Sequence, residues 1–219
     1  RLLGLEGPAF SYALGIAGSQ AAGSMEFLED GAWTKRFHPG WAAHSGMWAA
    51  FLAREGFIGP TTIVEGRYGF LNAYSGDPDL DSVLSDLGET YHVTRTSVKP
   101  HACCRYNQGP IDCILDLVNR YELRAEDVEK ATVGILSAGY NIVASPPEEK
   151  RNPKSVVDMQ FSMPFGAAVA LLYGRASLEE YSTEVVERPE VRELMSRVSC
   201  VQDARLDAQF PKVWPAWAE

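Results

Sequence analysis

The pattern of hydrophobic and polar positions changes along the chain near residue 90. Up to Leu87 the chain is rich in Ala, Gly and aromatic residues and has few β-branched runs. Small apolar residues over residues 8–25 predict one helix, and aromatic and apolar residues at helical spacing over residues 41–54 predict a second. A short acidic helix is predicted over residues 79–87. The first part of the chain is therefore predicted to be helical.

Beyond this point, helix and strand patterns alternate. Strand composition occurs at residues 91–98 and 131–136, and a third candidate strand occupies residues 198–201. Helical patterns are found at residues 112–123, 156–173, 178–181 and 189–197. Such alternation predicts an α/β layer, with a domain boundary near residues 88–93.

Composition excludes several classes of function. The 219 residues carry a net charge of −9, whereas a nucleic-acid-binding domain is normally basic. No stretch approaches the ~20 apolar residues that span a bilayer. The four cysteines are too few for a disulfide scaffold, which predicts reduced thiols in a cytoplasmic protein. Because residue 1 is Arg rather than Met, we expect a piece of a longer protein.

The first candidate site is the segment Thr34–Gly40. It places Lys35, Arg36 and His38 within four residues, between turn signals and just before a predicted helix. A helix N-terminus has unpaired N–H groups and a positive dipole end, so these side chains would suit a carboxylate or phosphate. The alternative interpretation is a solvated basic turn with a capping histidine.

The second candidate site comprises Lys99, His101 and Arg105. These residues lie where a predicted strand ends and leads into a helix, which is where α/β folds bind ligands. A plain surface loop is the alternative interpretation. Tyr140 follows another predicted strand in a polar loop, where its hydroxyl could reach a ligand or simply belong to a turn.

Other chemistry has weaker support. Cys103, Cys104 and Cys113 lack zinc spacing and are predicted to be small packing thiols, with a thiolate beside His101 as the alternative. No nucleotide-binding glycine motif occurs, so no cofactor or metal is predicted. The acidic pairs Glu29–Asp30 and Glu148–Glu149 have no basic partner at useful spacing and are predicted to be solvated.

The order of several motifs resembles that of the MmgE/PrpD family, over nearly the whole chain. The residues that carry the resemblance are Gly18–Phe27, Thr34–Gly40, Gly56–Pro60, Glu65–Gly66 with Gly69–Phe70, Lys99–Tyr106 with Ile111–Asp112, and Gln160–Pro164. One departure is that the family often has a His shortly after Cys-Cys-Arg-Tyr, where this chain has Asn107–Gln108.

The resemblance implies part of a large all-helical domain over residues 1–90 and most of a smaller α/β lid domain over residues 91–219. It also implies homodimers that act on small di- or tricarboxylates without a cofactor. Lys35 and Lys99 resemble the two family lysines that face the substrate carboxylates, and His38 and Tyr140 are assigned catalytic roles with them. The family is about twice this length.

The sequence therefore predicts a lyase, in the first place a hydro-lyase that resembles 2-methylcitrate dehydratase. We assign substrate binding to Arg36, His101 and Arg105, and we expect Lys35 and Lys99 to point into one cleft. Decarboxylase and epimerase activities of the same family stay open. So does a non-catalytic carboxylate-binding fragment, and a cysteine or zinc enzyme is a further alternative.

Overall fold

A computed structural model describes residues 2–219 of the chain. The chain forms two compact units. The first comprises the chain up to Phe27 together with Trp33–Thr96, and the second comprises Leu28–Ala32 and Ser97–Glu219. None of the helices within residues 2–219 combines the length and the apolar composition needed to cross a membrane.

The α-helices of the described residues are, in chain order, α1 (Gly7–Gly18), α2 (Phe27–Asp30), α3 (Thr34–Arg54), α4 (Phe70–Tyr74), α5 (Leu80–Leu84), α6 (Arg105–Tyr121), α7 (Ser137–Val143), α8 (Pro147–Lys150), α9 (Val156–Gln160), α10 (Met163–Tyr173), α11 (Thr183–Val186), α12 (Pro189–Arg197) and α13 (Ala204–Asp207). Single 3₁₀ turns occur at His92–Arg95 and Ala125–Asp127. The strands are β1 (Ala131–Ile135), β2 (Val198–Gln202) and β3 (Trp217–Ala218).

In the first unit, α1 packs against α3. The buried residues at this contact are Ile16, Ala49 and Ala53. The backbone also approaches α1 closely, since a Cβ added at Gly15 would overlap the carbonyl oxygen of Pro60. Small residues therefore let the chain after α3 lie directly against α1, as the small apolar composition of this helix predicts.

In the second unit, a three-stranded mixed sheet supports the core. The strand order is β2-β1-β3, with β2 parallel and β3 antiparallel to β1. Helix α10 is apolar and almost fully buried, and it packs against α6, α12 and β2. The predicted fold class, a helical part followed by an α/β part, is confirmed.

Five local predictions are wrong. Helix α1 ends at Gly18 rather than near residue 25. The segment that begins at Thr34 is the start of α3 and not a turn before it. Residues 91–98 form a 3₁₀ turn rather than a strand, because the Thr94 and Thr96 hydroxyls donate to nearby carbonyls. Residues 178–181 form turns, and Tyr140 lies in α7 rather than in a loop.

The long helix predicted over residues 156–173 is also divided. Helix α9 ends at Gln160 and α10 begins at Met163. Between them the Ser162 hydroxyl accepts a hydrogen bond from the Phe165 amide at 3.1 Å, and Pro164 occupies the first turn. A serine cap followed by proline favours a new helix start over continuation.

The turn after α10 depends on the buried carboxylate of Glu180. It accepts hydrogen bonds from the amide and hydroxyl of Ser177 and from the Arg175 guanidinium, at 2.7–2.8 Å. Burial by itself raises the pKa of Glu180, but these hydrogen bonds outweigh burial and hold the pKa below its ordinary value. The charged carboxylate therefore stabilises the folded state.

We expect Glu180→Gln to lower the free energy of unfolding by about 1–3 kcal/mol at pH 7, because the charge-assisted bonds are lost. The difference from wild type should shrink as pH falls below the unfolded-state pKa of about 4.3, where the wild-type carboxylate also takes up a proton. Urea denaturation at several pH values measures this. Glu179→Gln, on an exposed partner of the same arginine, is the control and should change stability by less than about 0.5 kcal/mol. Equal effects of the two substitutions would contradict the assignment.

Candidate active-site segments

The first candidate segment occupies the opening turns of α3. Lys35 and Arg36 are exposed, and His38 is half-buried. The Lys35 ammonium lies 5.9 Å from the centroid of the buried Phe27 ring, and the His38 ring lies edge-on to the same ring at 6.1 Å. Phe27 therefore anchors two of the side chains that the sequence predicted to act together.

The electrostatics of this helix start are unusual. Two cations occupy the first turn of α3 and no acidic residue accompanies them there. The helix dipole disfavours cations at a helix N-terminus. An anion bound there is stabilised by the helix dipole and by the two cationic side chains. This arrangement is suited to binding a carboxylate.

A cavity of about 620 Å³ opens beside His38 within the first unit. Residues of the segment that follows α1, including Gly23, line it together with Trp41 and Ser45. Gly23 has a φ of +139°, and a Cβ there would lie 3.4 Å from Nδ1 of His38. Glycine at this position therefore leaves the imidazole room. The Ser45 hydroxyl is buried, and among the described residues it has no hydrogen-bond partner.

The second candidate segment is the loop Lys99–Cys104, which leads into α6. Residues 91–98, which were predicted to form a strand before this loop, contain the 3₁₀ turn His92–Arg95 instead. The Lys99 ammonium donates a hydrogen bond to the Cys103 carbonyl at 3.2 Å. His101 is half-buried, and its Nε2 lies 2.9 Å from Oδ1 of the exposed Asp112. Lys99 and His101 are thus held in one loop.

Arg105 and Tyr140 occupy neighbouring helices. Arg105 is the first residue of α6, and its guanidinium lies 5.0 Å from the centroid of the Trp214 ring. Tyr140 is half-buried in α7 and packs against the core of the second unit. Helix α7 lies against α6, and a Cβ at Gly139 would overlap the Tyr106 ring. The structure therefore brings these two helices into close contact.

The thiols are poorly suited to nucleophilic chemistry. Burial raises the pKa of Cys103 to about 11 and that of Cys200 to about 12. At neutral pH both are thiols, whereas nucleophilic attack and metal ligation need the thiolate. Within residues 2–219, no three His, Cys, Asp or Glu side chains are grouped so that they could hold a metal ion. The raised pKa values therefore disfavour Cys103 and Cys200 as nucleophiles.

The two acidic pairs predicted to be solvated and unpartnered share a mixed-charge cavity. This cavity of about 570 Å³ lies in the second unit and is lined by Leu28, Glu29, Asp30, Glu148, Glu149, Lys150, Asn152, Lys154 and Asp158. All four acidic residues are exposed, as predicted, and α8 and the residues after it bring two lysines to them that the sequence spacing did not indicate. Burial lowers the pKa of Lys150, and the nearby Asp158 and Glu149 carboxylates partly oppose that effect.

Gln108 is a buried polar residue whose role the sequence does not predict. This residue lies one turn into α6, is 3% exposed, and faces the loop that carries Lys99. The only signal was an uncharged polar pair, Asn107–Gln108, beside the apolar positions Ile111 and Ile114 of the same helix. That pattern predicts a buried polar side chain but does not identify its hydrogen-bond partners.

Comparison with known proteins agrees with the motif order. Residues 1–83 match the MmgE/PrpD N-terminal domain, and residues 101–219 match the MmgE/PrpD C-terminal domain. The curated relatives include a cis-aconitate decarboxylase from Aspergillus terreus, 29% identical, and the cis-aconitate decarboxylase-like protein oryM from Aspergillus oryzae (strain ATCC 42149 / RIB 40), 27% identical. A cis-aconitate decarboxylase from Aspergillus terreus (strain NIH 2624 / FGSC A1156) is 30% identical.

These alignments cover 94%, 94% and 91% of this chain but 44%, 45% and 43% of the respective relatives. The chain therefore spans less than half the length of the curated relatives it matches. The two domain matches include the first candidate segment and residues 101–104 of the second, and Lys99 lies two residues before the second match. The chain belongs to the MmgE/PrpD family.

Proposed function

We propose that the full-length protein containing this chain is a lyase that acts on small di- or tricarboxylates. The observation that carries the proposal is the placement of its two candidate lysines. Lys35 lies in the first turn of α3, and Lys99 is bonded to the carbonyl just before the N-cap of α6. Neither helix has an acidic residue in its first turn.

The chemistry of such a site follows from these charges. Loss of CO₂ or abstraction of a proton from a polycarboxylate builds negative charge on carbon next to a carboxylate. An ammonium group held nearby stabilises this charge more in the transition state than in the ground state, which accelerates the reaction. We assign this role to Lys35 and to Lys99, with Arg36, His101 and Arg105 holding further carboxylates and His38 and Tyr140 moving protons.

Three reactions fit this assignment. The named activity of the relatives, cis-aconitate decarboxylation, favours release of CO₂. Dehydration of 2-methylcitrate, which the sequence analysis put first, uses the same cations and is the second candidate. Epimerisation is a third outcome of the same charge stabilisation. A homodimer in the cytoplasm stays a prediction.

An activity assay of the full-length protein separates these reactions. Incubation with cis-aconitate should release CO₂ if the protein is a decarboxylase, and incubation with 2-methylcitrate should give a product 18 mass units lighter if it is a dehydratase. Mass spectrometry and CO₂ trapping measure both products. Binding of citrate-like acids in calorimetry without turnover of any substrate would instead favour a non-catalytic carboxylate-binding protein.

A further inference from the structure

The Gln108 side-chain amide fills the inside of the loop that precedes α6. Its Oε1 accepts a hydrogen bond from the His101 amide at 3.0 Å. Its Nε2 lies 3.1–3.3 Å from the carbonyl oxygens of His101, Cys103 and Cys104, and 3.1 Å from Sγ of Cys103. Since an amide nitrogen has two hydrogens, these acceptors share them. One side chain therefore contacts backbone groups of His101, Cys103 and Cys104.

The outer side of the same loop is held by other elements. The Ala102 amide donates to the Ala176 carbonyl at 3.1 Å, and the Cys104 amide donates to the Gln160 carbonyl at 2.9 Å. These bonds fix the loop to the rest of the second unit. Inside the loop, the His101 carbonyl accepts from the Cys103 amide at 2.8 Å and the Cys104 carbonyl accepts from the Asn107 amide at 3.1 Å, so Nε2 of Gln108 adds a second donor to both. The Cys103 carbonyl accepts from the side chains of Lys99 and Gln108.

Gln108 and Lys99 share one hydrogen-bond acceptor, the Cys103 carbonyl. The Lys99 ammonium donates to the Cys103 oxygen at 3.2 Å, and the same oxygen lies 3.3 Å from Nε2 of Gln108. We infer that Gln108 is a positioning residue, whose buried amide fixes the loop backbone and thereby aims the Lys99 ammonium. The catalytic consequence of this inference rests on the proposed function of Lys99.

The uncharged amide suits this task better than an ionisable side chain would. It donates and accepts at the same time, and its hydrogen bonding does not change with pH in the physiological range. A buried carboxylate would face three carbonyl oxygens without a donor. An apolar side chain of similar length would remove the donor to these carbonyls and the acceptor of the His101 amide.

The first test compares Gln108→Met with Val191→Ala in the full-length protein. Val191 is fully buried on α12 and has no part in the loop, so its substitution reports the loss of core packing alone. We expect Gln108→Met to lower kcat by about 10–100-fold with little change in KM, since a misplacement of the order of 1 Å has effects of this size. Val191→Ala should leave kcat of the folded protein nearly unchanged.

A double variant tests whether the effect passes through Lys99. In a Lys99→Ala background, Gln108→Met should cost little further turnover, because the group it aims is already absent. Additive losses would mean that Gln108 acts only on stability and would overturn the inference.

A readout without substrate keeps this inference separate from the proposed function. Gln108→Met should raise the rate of hydrogen exchange at the His101 amide at least about tenfold. It should also change the rate at which an amine-reactive reagent labels the Lys99 ammonium group. Val191→Ala should change neither. A protein that turns over no polycarboxylate but shows these changes refutes the proposed function and retains the positioning. Unchanged exchange and labelling in Gln108→Met refute the positioning, whatever the activity.

The wild-type protein provides a check if the variants do not fold. The side-chain amide protons of Gln108 should exchange with solvent far more slowly than those of Gln209, which is exposed. Equal exchange rates for the two glutamines, measured by NMR, would overturn the inference.

Discussion

Replacing either candidate lysine by alanine in the full-length protein should lower kcat on its polycarboxylate substrate at least ~10²-fold. Loss of one donor that stabilises developing charge typically costs this much. Lys35→Ala removes the ammonium above the Phe27 ring, and Lys99→Ala removes the ammonium bonded to the Cys103 carbonyl. Neither change disturbs a buried core, because both lysines are exposed. The loss should therefore fall on turnover and not on folding.

Steady-state kinetics of four variants measure this effect. Lys130→Ala and Lys212→Ala remove exposed lysines outside both segments and should leave kcat within about twofold of wild type. If Lys35 and Lys99 stabilise the same developing charge, the double variant should be much less impaired than the product of the two single losses. Near-normal turnover of both single variants would reject these roles.

The residues that carry the proposed chemistry could be selected from the sequence, but their local structure could not. Lys35, Arg36 and His38 stand out as a basic cluster, whereas Pro39 and Gly40 suggest a turn. The structure continues α3 through Pro39, although proline removes a backbone donor and disfavours a helix interior. Composition therefore identified the charges and misplaced the start of the helix.

The error at residues 91–98 has a different origin. Strand propensity describes how well a side chain fits a pleated surface, and a strand needs a neighbour to pair with. Here the Thr94 hydroxyl bonds locally to the Tyr91 carbonyl, and the segment forms a 3₁₀ turn. By contrast, β1 and β2 were predicted correctly, because they pair with each other and their apolar residues belong to the same buried core as α10.

The role of Gln108 could not be predicted from spacing. A neutral amide has no charge pattern and no ligand geometry that a sequence displays, and its partners lie on the loop that precedes its own helix. Only the contacts identify it. The same holds for Glu180, which looks like one acid of an exposed pair until the turn places Ser177 and Arg175 around it.

The largest effect on stability is expected for Phe165→Ala. Phe165 is fully buried on α10, and its ring lies edge-on to that of Tyr181 at 5.2 Å. Removing the ring deletes a large apolar surface and leaves a cavity where α10 and α6 pack together. We expect the free energy of unfolding to fall by about 3–5 kcal/mol, the usual range for truncating a buried phenylalanine. Chemical denaturation measures this value.

A matched control and a milder substitution make that prediction specific. Leu178→Ala truncates a side chain that is 81% exposed in the same unit and should change stability by less than about 0.5 kcal/mol. Phe165→Leu retains most of the volume and should cost less than Phe165→Ala. Similar losses for Phe165→Ala and Leu178→Ala would contradict the placement of α10 at the centre of the core. Because Phe165 lies outside the Lys99–Cys104 loop, the folded fraction of Phe165→Ala should retain wild-type kcat, in contrast to Gln108→Met.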